Sequence, residues 1–283
     1  MIVTEFESHL LQELAVPAYV PNDTYLHGGR GTPAQGRDTP HSHQSTHGDD
    51  IPEGPSTIIL TGPNYSGKSI YLKQTALIVY LAHIGSFVPA TSATIGLTDK
   101  ILTRISTRES VSRNQSAFMI DVQQMCMALN LATHRSLLVI DEFSKGTNAV
   151  DGAALACGVF EYLINLGGNA PKTLAATHFH EIFENGFLPP RPPVVAFKHM
   201  EVRMDSRIEV KDQITYLYNL RDGRSNESFG MVCASVNGIA PEIVERARVL
   251  GDLAARGEDL VIACAGLGEQ EAIDLVEAVS SVG

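Results

Sequence analysis

Thr57-Ile58-Ile59-Leu60-Thr61-Gly62-Pro63-Asn64-Tyr65-Ser66-Gly67-Lys68-Ser69 is the stretch that decides the fold. Its first five residues form a short apolar run, and helical apolar spacing follows over 67–84. A buried strand that passes through G-x-x-x-x-G-K-S/T into a helix is the context in which this pattern cradles phosphates. Glycines let backbone N–H groups close around an anion, and the helix N-terminus adds its positive dipole end. Gly62, Pro63, Asn64, Tyr65, Ser66 and Gly67 would form the cradle. Lys68 would reach the β- and γ-phosphates and the Ser69 hydroxyl would ligate Mg²⁺. An ordinary glycine-rich turn gives no reason for the Lys-Ser pair.

Strand and helix patterns keep alternating beyond this loop. Strands are predicted over 101–105, 137–140 and 173–177, helices over 116–133 and 152–166, and a short helical turn over 180–185. Buried strands separated by helices of this length predict an α/β fold of P-loop type, a parallel-rich sheet covered by helices. A strand pair over about 194–204 and 213–220 follows, then helices over 228–237 and 241–255. The last begins with Pro241 and Glu242, a proline in the first turn and a carboxylate at the positive end.

Leu137-Leu138-Val139-Ile140-Asp141-Glu142 places two carboxylates at the carboxyl end of a buried strand, where open α/β sheets bind ligands. Asp141 would hold the Mg²⁺ shell through water, and Glu142 would orient and deprotonate an attacking water. Alone, such a pair reads better as a solvated strand end; beside a phosphate loop it reads as the second half of a site. Thr177-His178 ends the next strand, so His178 is positioned to donate to a γ-phosphate, with a capping or packing role as the alternative.

Composition bounds these readings. The 283 residues are 44% hydrophobic, 19% charged and 6% aromatic, which suits one large domain or two small ones with a sizeable core. The net charge of −11 (21 Lys and Arg against 32 Asp and Glu) is opposite to that of a surface that grips DNA by itself. Cys126, Cys157, Cys233 and Cys264 are widely spaced, excluding the usual zinc patterns and a disulfide scaffold. Residues 1–16 carry Glu5, Glu7 and Glu13 and lack the basic head of a secretory signal. Residues 74–98 have no charged side chain, but His83, Gly85, Ser86, Pro89, Thr91 and Ser92 interrupt them. A buried helix followed by a loop is expected there, and no membrane span. The chain is expected to be soluble and intracellular.

Five regions follow: 1–27 as the N-terminal part of the nucleotide domain, 28–56 as an insertion, 57–225 as the P-loop core, 226–256 as the closing helices, and 257–283 as an acidic tail. The insertion has almost no aliphatic residues and is expected to be disordered, because it cannot bury enough surface to offset its ordering entropy. His41, His43 and His47 lie in it, but nothing there pre-organises a metal site. No internal repeat is present.

TGPNYSGKS, AHIGSFVPA, QSAFMID, LLVIDEFSKGTNAVDG and ATHFHE follow one another between Ile58 and about Leu250, and in order and spacing they resemble the ATPase domain of the MutS family of DNA mismatch-repair and recombination proteins. Residues 11–26 resemble the segment before that family's phosphate loop, and GIAPEIVERA from Gly238 resembles its dimerising helix-turn-helix. SGKSIYLKQ, Asp121 and Phe143 look most like the meiotic, crossover-promoting branch, which works as a heterodimer.

The resemblance implies ATP hydrolysis to ADP and phosphate, with ATP and Mg²⁺ bound. It also implies a nucleotide switch in a dimer with a second MutS-family subunit, mispaired or branched DNA held through other domains, and a nuclear location. By position, Tyr19 matches an aromatic that stacks on adenine and Tyr218 a second ring on the opposite face. An aromatic sandwich suits a flat base, although two half-buried tyrosines would satisfy the same pattern. Asn64 would help position the γ-phosphate and water, and Ser116 would reach in trans to the partner's nucleotide. Ala117 stands where Thr is usual, Ser144-Lys145 replace Gly-Arg, and Asn148-Ala149 replace Ser-Thr, which puts the trans contacts in question.

The family's DNA-reading, connector, lever and clamp domains have no counterpart in these 283 residues, as expected of an excised domain or a truncated gene model. Transporter-type and chromosome-structure ABC proteins need L-S-G-G-Q, which does not occur. A catalytically weak interaction module that pairs without efficient turnover is the rival of a different class.

Overall fold

The apolar runs become strands that satisfy their backbones by lateral pairing. A computed structural model describes residues 2–6, 19–29, 54–105, 117–179, 181–184, 188, 194–204, 214–225 and 230–256. In chain order the elements are β1 (Ile2–Phe6), β2 (Thr24–Tyr25), β3 (Thr57–Thr61), α1 (Lys68–His83), β4 (Ala90–Thr94), β5 (Ile101–Arg104), α2 (Ala117–Leu131) and β6 (Leu137–Asp141). They continue with α3 (Ala149–Asn165), β7 (Lys172–Ala176), α4 (Glu181–Glu184), β8 (Val195–Met204), β9 (Ile214–Asp222), α5 (Gly230–Val236) and α6 (Pro241–Ala255).

Six strands form a sheet in the order β5-β6-β7-β3-β8-β9. The four pairings from β5 to β8 are parallel. β8 and β9 run antiparallel, since Phe197 O accepts from Gly223 N while Lys198 Nζ reaches Asp222. Every residue of β3, β6 and β7 is buried, as befits central strands covered on both faces. Successive side chains point to opposite faces, and the core divides accordingly. Ile58, Leu60, Leu137 and Val139 pack with Tyr71, Leu72, Ile78 and Val79 of α1. Ile59, Leu138 and Ile140 pack with Met125 of α2, Phe160 and Leu163 of α3, and Ile182 of α4. Each large side chain so buried stabilises by about 1.5–3 kcal/mol. In register, Leu60 and Asp141 both lie level with Ala176, so the carboxyl ends of β3, β6 and β7 meet at one edge.

Three strands depart from expectation. β1, β2 and β4 form a small antiparallel sheet in the order β2-β1-β4, with Ile2 opposite both Tyr25 and Thr94. The loop expected after the first helix therefore contains a strand, Ala-Thr-Ser-Ala-Thr, whose partner lies far away in the chain. α3 starts earlier than expected, because Asn148 caps it by accepting from Val150 N. His41, His43, His47, Ser116 and the tail 257–283 lie outside the described residues.

The described residues belong to two compact units, one within 1–202 and 216–226, the other within 203–215 and 227–283. In the second unit α5 and α6 are joined by a tight turn, where Gly238 takes φ 84 and Ile239 N donates to Ala234 O. No helix among the described residues is long and apolar enough to cross a membrane.

Candidate nucleotide site

The loop from β3 to α1 bends at Gly62 (φ 136) and Gly67 (φ 100), a region of backbone space that favours glycine. Side chains also need the room: a Cβ on Gly62 would come within 3.2 Å of Ser66 Oγ, and one on Gly67 within 3.2 Å of the Tyr218 ring. Tyr65 (φ 65) stands exposed at the tip, and Ser66 Oγ donates to Pro63 O. Lys68 is only 5% exposed. Its Nζ donates to Gly62 O at 2.7 Å and Pro63 O at 2.9 Å, and lies 3.8 Å from Glu142 Oε1. Burial pushes this ammonium down from its ordinary range, while the Glu142 and Asp141 carboxylates oppose the shift.

Glu142 follows β6 at φ 50, tied by its N–H to Ala176 O. Its Oε2 accepts from Lys145 Nζ at 2.9 Å. Burial raises the carboxyl, but the Lys145 hydrogen bond and charge, then Lys68 and His178, outweigh it and hold Glu142 below the usual carboxylate range. Asp141 is buried, and its Oδ1 has no hydrogen-bond partner among the described residues. A carboxylate oxygen in that state carries a desolvation cost that a bound cation would relieve. Asp141 and the Ser69 hydroxyl are oxygen donors of the hard kind that Mg²⁺ would take.

Support from below was missed in the sequence. Arg104, at the end of β5, donates to the backbone carbonyl of Asp141 and pairs with Asp121 of α2, whose other oxygen accepts from Ser144 N. An arginine closing an apolar strand was the available signal. Ser144 takes φ 67 with its hydroxyl bonded within the chain to Phe143 O and Gly152 O. Two of the noted departures, Ser144 and Lys145, thus act on this chain's own loop.

A cleft of about 500 Å³ gathers the pieces, a size usual for small-molecule sites. Pro63, Asn64, Tyr65, Ser66, Gly67, Lys68, Ser69, Glu142, Tyr19 and Tyr218 all line it, joined by Asn22 and Gln74, which sequence reading had passed over. Tyr19 OH donates to Gln74 Oε1 at 2.7 Å, and burial raises its phenol. Gly62, Asp141 and His178 stand beside the cleft; the charge of Asp141 acts on Lys68 and that of His178 on Glu142. The His178 ring packs on Phe179.

Comparison with known proteins adds an independent finding. Residues 58–253 match the family description MutS domain V. The chain is 38% identical over 278 residues to MutS protein homolog 5 of Saccharomyces cerevisiae, covering 93% of this chain and 29% of that protein. It is 36% identical over 251 residues to DNA mismatch repair protein MutS of Halothermothrix orenii, covering 88% of this chain and 24% of that protein. Against DNA mismatch repair protein MutS of Dehalococcoides mccartyi (strain ATCC BAA-2100) it is 43% identical over 190 residues, covering 67% and 21%. The chain therefore spans between a fifth and a third of the length of these relatives.

Proposed function

The chain belongs to the MutS family, and we propose that it binds Mg·ATP in the Gly62–Ser69 cradle and hydrolyses it, as the nucleotide switch of a dimeric MutS-type protein acting on DNA. One observation carries the reading: a single cleft joins the loop, the buried Lys68, Glu142 and two tyrosines. Lys68 would exchange its two loop carbonyls for phosphate oxygens, a gain because a charged acceptor replaces neutral ones. Glu142, kept ionised by its cationic neighbours, would accept a proton from the attacking water. Ser69 and Asp141 would hold Mg²⁺, which would supply positive charge against the phosphates. Tyr19 and Tyr218 would bracket the base. The likeness to MutS protein homolog 5 favours the meiotic recombination branch, a nuclear setting, and pairing with a second MutS-family subunit through α5 and α6. DNA, mispaired or branched, would be gripped by parts of the protein beyond these residues.

The test is a pair of variants. Lys68→Ala should weaken ATP binding about 10- to 100-fold in a calorimetric titration, from the loss of charge-assisted bonds. Glu142→Gln should keep binding and stop turnover. Unchanged affinity in the first, or normal hydrolysis in the second, would sink the assignment.

A further inference from the structure

Asn22 ties together the two chain segments that carry the tyrosines. Its Nδ2 donates to Tyr218 O at 2.9 Å, 196 residues away, and its Oδ1 accepts from Leu220 N at 2.6 Å. Both ends of one carboxamide thus engage alternate backbone groups of β9, as a neighbouring strand would. At the first of these two residues the backbone is unusual: Tyr218 takes φ 57, a left-handed conformation that a non-glycine residue keeps only when its surroundings impose it. That conformation sets the ring against the phosphate loop, within 3.2 Å of where a Gly67 Cβ would stand. The segment bearing Asn22 is itself fixed to α1, through Tyr19 OH to Gln74 and through Thr24 Oγ1 to Tyr71 OH at 2.5 Å. Asn22 is therefore anchored on one side and grips β9 on the other.

We propose that Asn22 is a positioning residue for the nucleotide: it imposes the left-handed conformation of Tyr218 and so sets the ring that receives the base. This rests on the nucleotide reading above. The base end of the site would then be assembled by a side-chain clip from chain segments other than the phosphate loop. Asn22 acts through Tyr218 and has no part in the chemistry of the phosphates.

The experiment compares ATP with inorganic tripolyphosphate, which shares the phosphates and lacks the base. Asn22→Ala should weaken ATP binding about tenfold, the loss of one to two hydrogen bonds, while tripolyphosphate binds as to the unaltered chain. In the Tyr218→Ala background the same substitution should cost little more, because the two residues act as a unit. Asn22→Asp keeps the acceptor for Leu220 N–H and removes the Nδ2 donor shared by Tyr218 O and Val20 O, so it should show the same selective loss. It carries the test should Asn22→Ala melt below the assay temperature. Equal losses for ATP and tripolyphosphate, additive effects with Tyr218→Ala, or unchanged ATP affinity would each overturn the proposal. An unaltered chain that binds neither ligand would overturn the nucleotide reading itself.

Discussion

Glu142 lies between two lysines, and they do different things. Lys68 is buried and 3.8 Å from one oxygen, whereas Lys145 is largely exposed and hydrogen-bonds the other at 2.9 Å. Burial alone would raise the carboxyl; Lys145 supplies the leading opposing contributions, ahead of Lys68 and His178. In its proposed role as base Glu142 is useful only when ionised, so Lys145 would extend activity toward low pH while making Glu142 a weaker proton acceptor. In Lys145→Ala the carboxyl should titrate higher, and the acid limb of kcat should move to higher pH. Single-turnover hydrolysis measured across pH checks this; an unmoved limb would mean that Glu142 does not govern that limb. The sequence marked Lys145 as a departure from the family pattern but could not show its target, because an i,i+3 pair beyond a strand end depends on the φ 50 turn at Glu142.

Between elements, Asp99 fastens the approach to β5 to the approach to β6. Its carboxylate accepts from Thr133 Oγ1 at 2.7 Å and Ser136 Oγ at 2.8 Å, and from Lys100 Nζ. Partial burial works to raise it, but these bonds prevail and hold it at about 2, against an ordinary 3.8. A depressed carboxyl adds stability above its unfolded value and loses it as pH falls through the folded one. The stability gap between the parent chain and Asp99→Ala should therefore be constant above about pH 4 and close toward pH 2. Urea midpoints across that range measure it, and a gap independent of pH would assign the effect to packing. The same stretch shows what the sequence makes legible. Strands β3, β6 and β7 announce themselves because they are apolar throughout and bounded by turns. β4 does not: Ala-Thr-Ser-Ala-Thr has little apolar content, half faces solvent, and gains its strand character only from β1. The start of α3 was hidden similarly, since Asn148 reads as a loop residue until its side chain is seen capping Val150 N. In the site, motif residues were legible because phosphate chemistry dictates their spacing. Arg104 and Asn22 were not, because each acts on a backbone group far away in sequence.

At the scale of the whole molecule, the question is whether one chain completes its own site. The cleft brings together the loop, Lys68, Glu142 and the tyrosines from a single chain, the groups that the proposed nucleotide would contact. Among the described residues no arginine lines it to balance the charge that would develop on a transferring phosphoryl group. In nucleotide switches such a group often arrives from a second domain, and its arrival couples turnover to assembly. The resemblance places Ser116 in that role, just before α2. α2 carries Asp121, which through Arg104 and Ser144 N holds the loop bearing Asp141 and Glu142, so a partner touching the start of α2 would act on both sites. The isolated chain should therefore hydrolyse ATP slowly, with turnover per chain rising when a MutS-family partner is added. Ser116→Ala should lower hydrolysis in the partner's site and leave this chain's own ATP affinity nearly unchanged. The assay mixes this chain with a partner whose own phosphate-loop lysine or catalytic glutamate is substituted, and then reverses the lesion, so that one site at a time turns over. Turnover that is independent of concentration, of partner and of Ser116 would mean that the site is complete in cis, and that pairing serves a purpose other than catalysis.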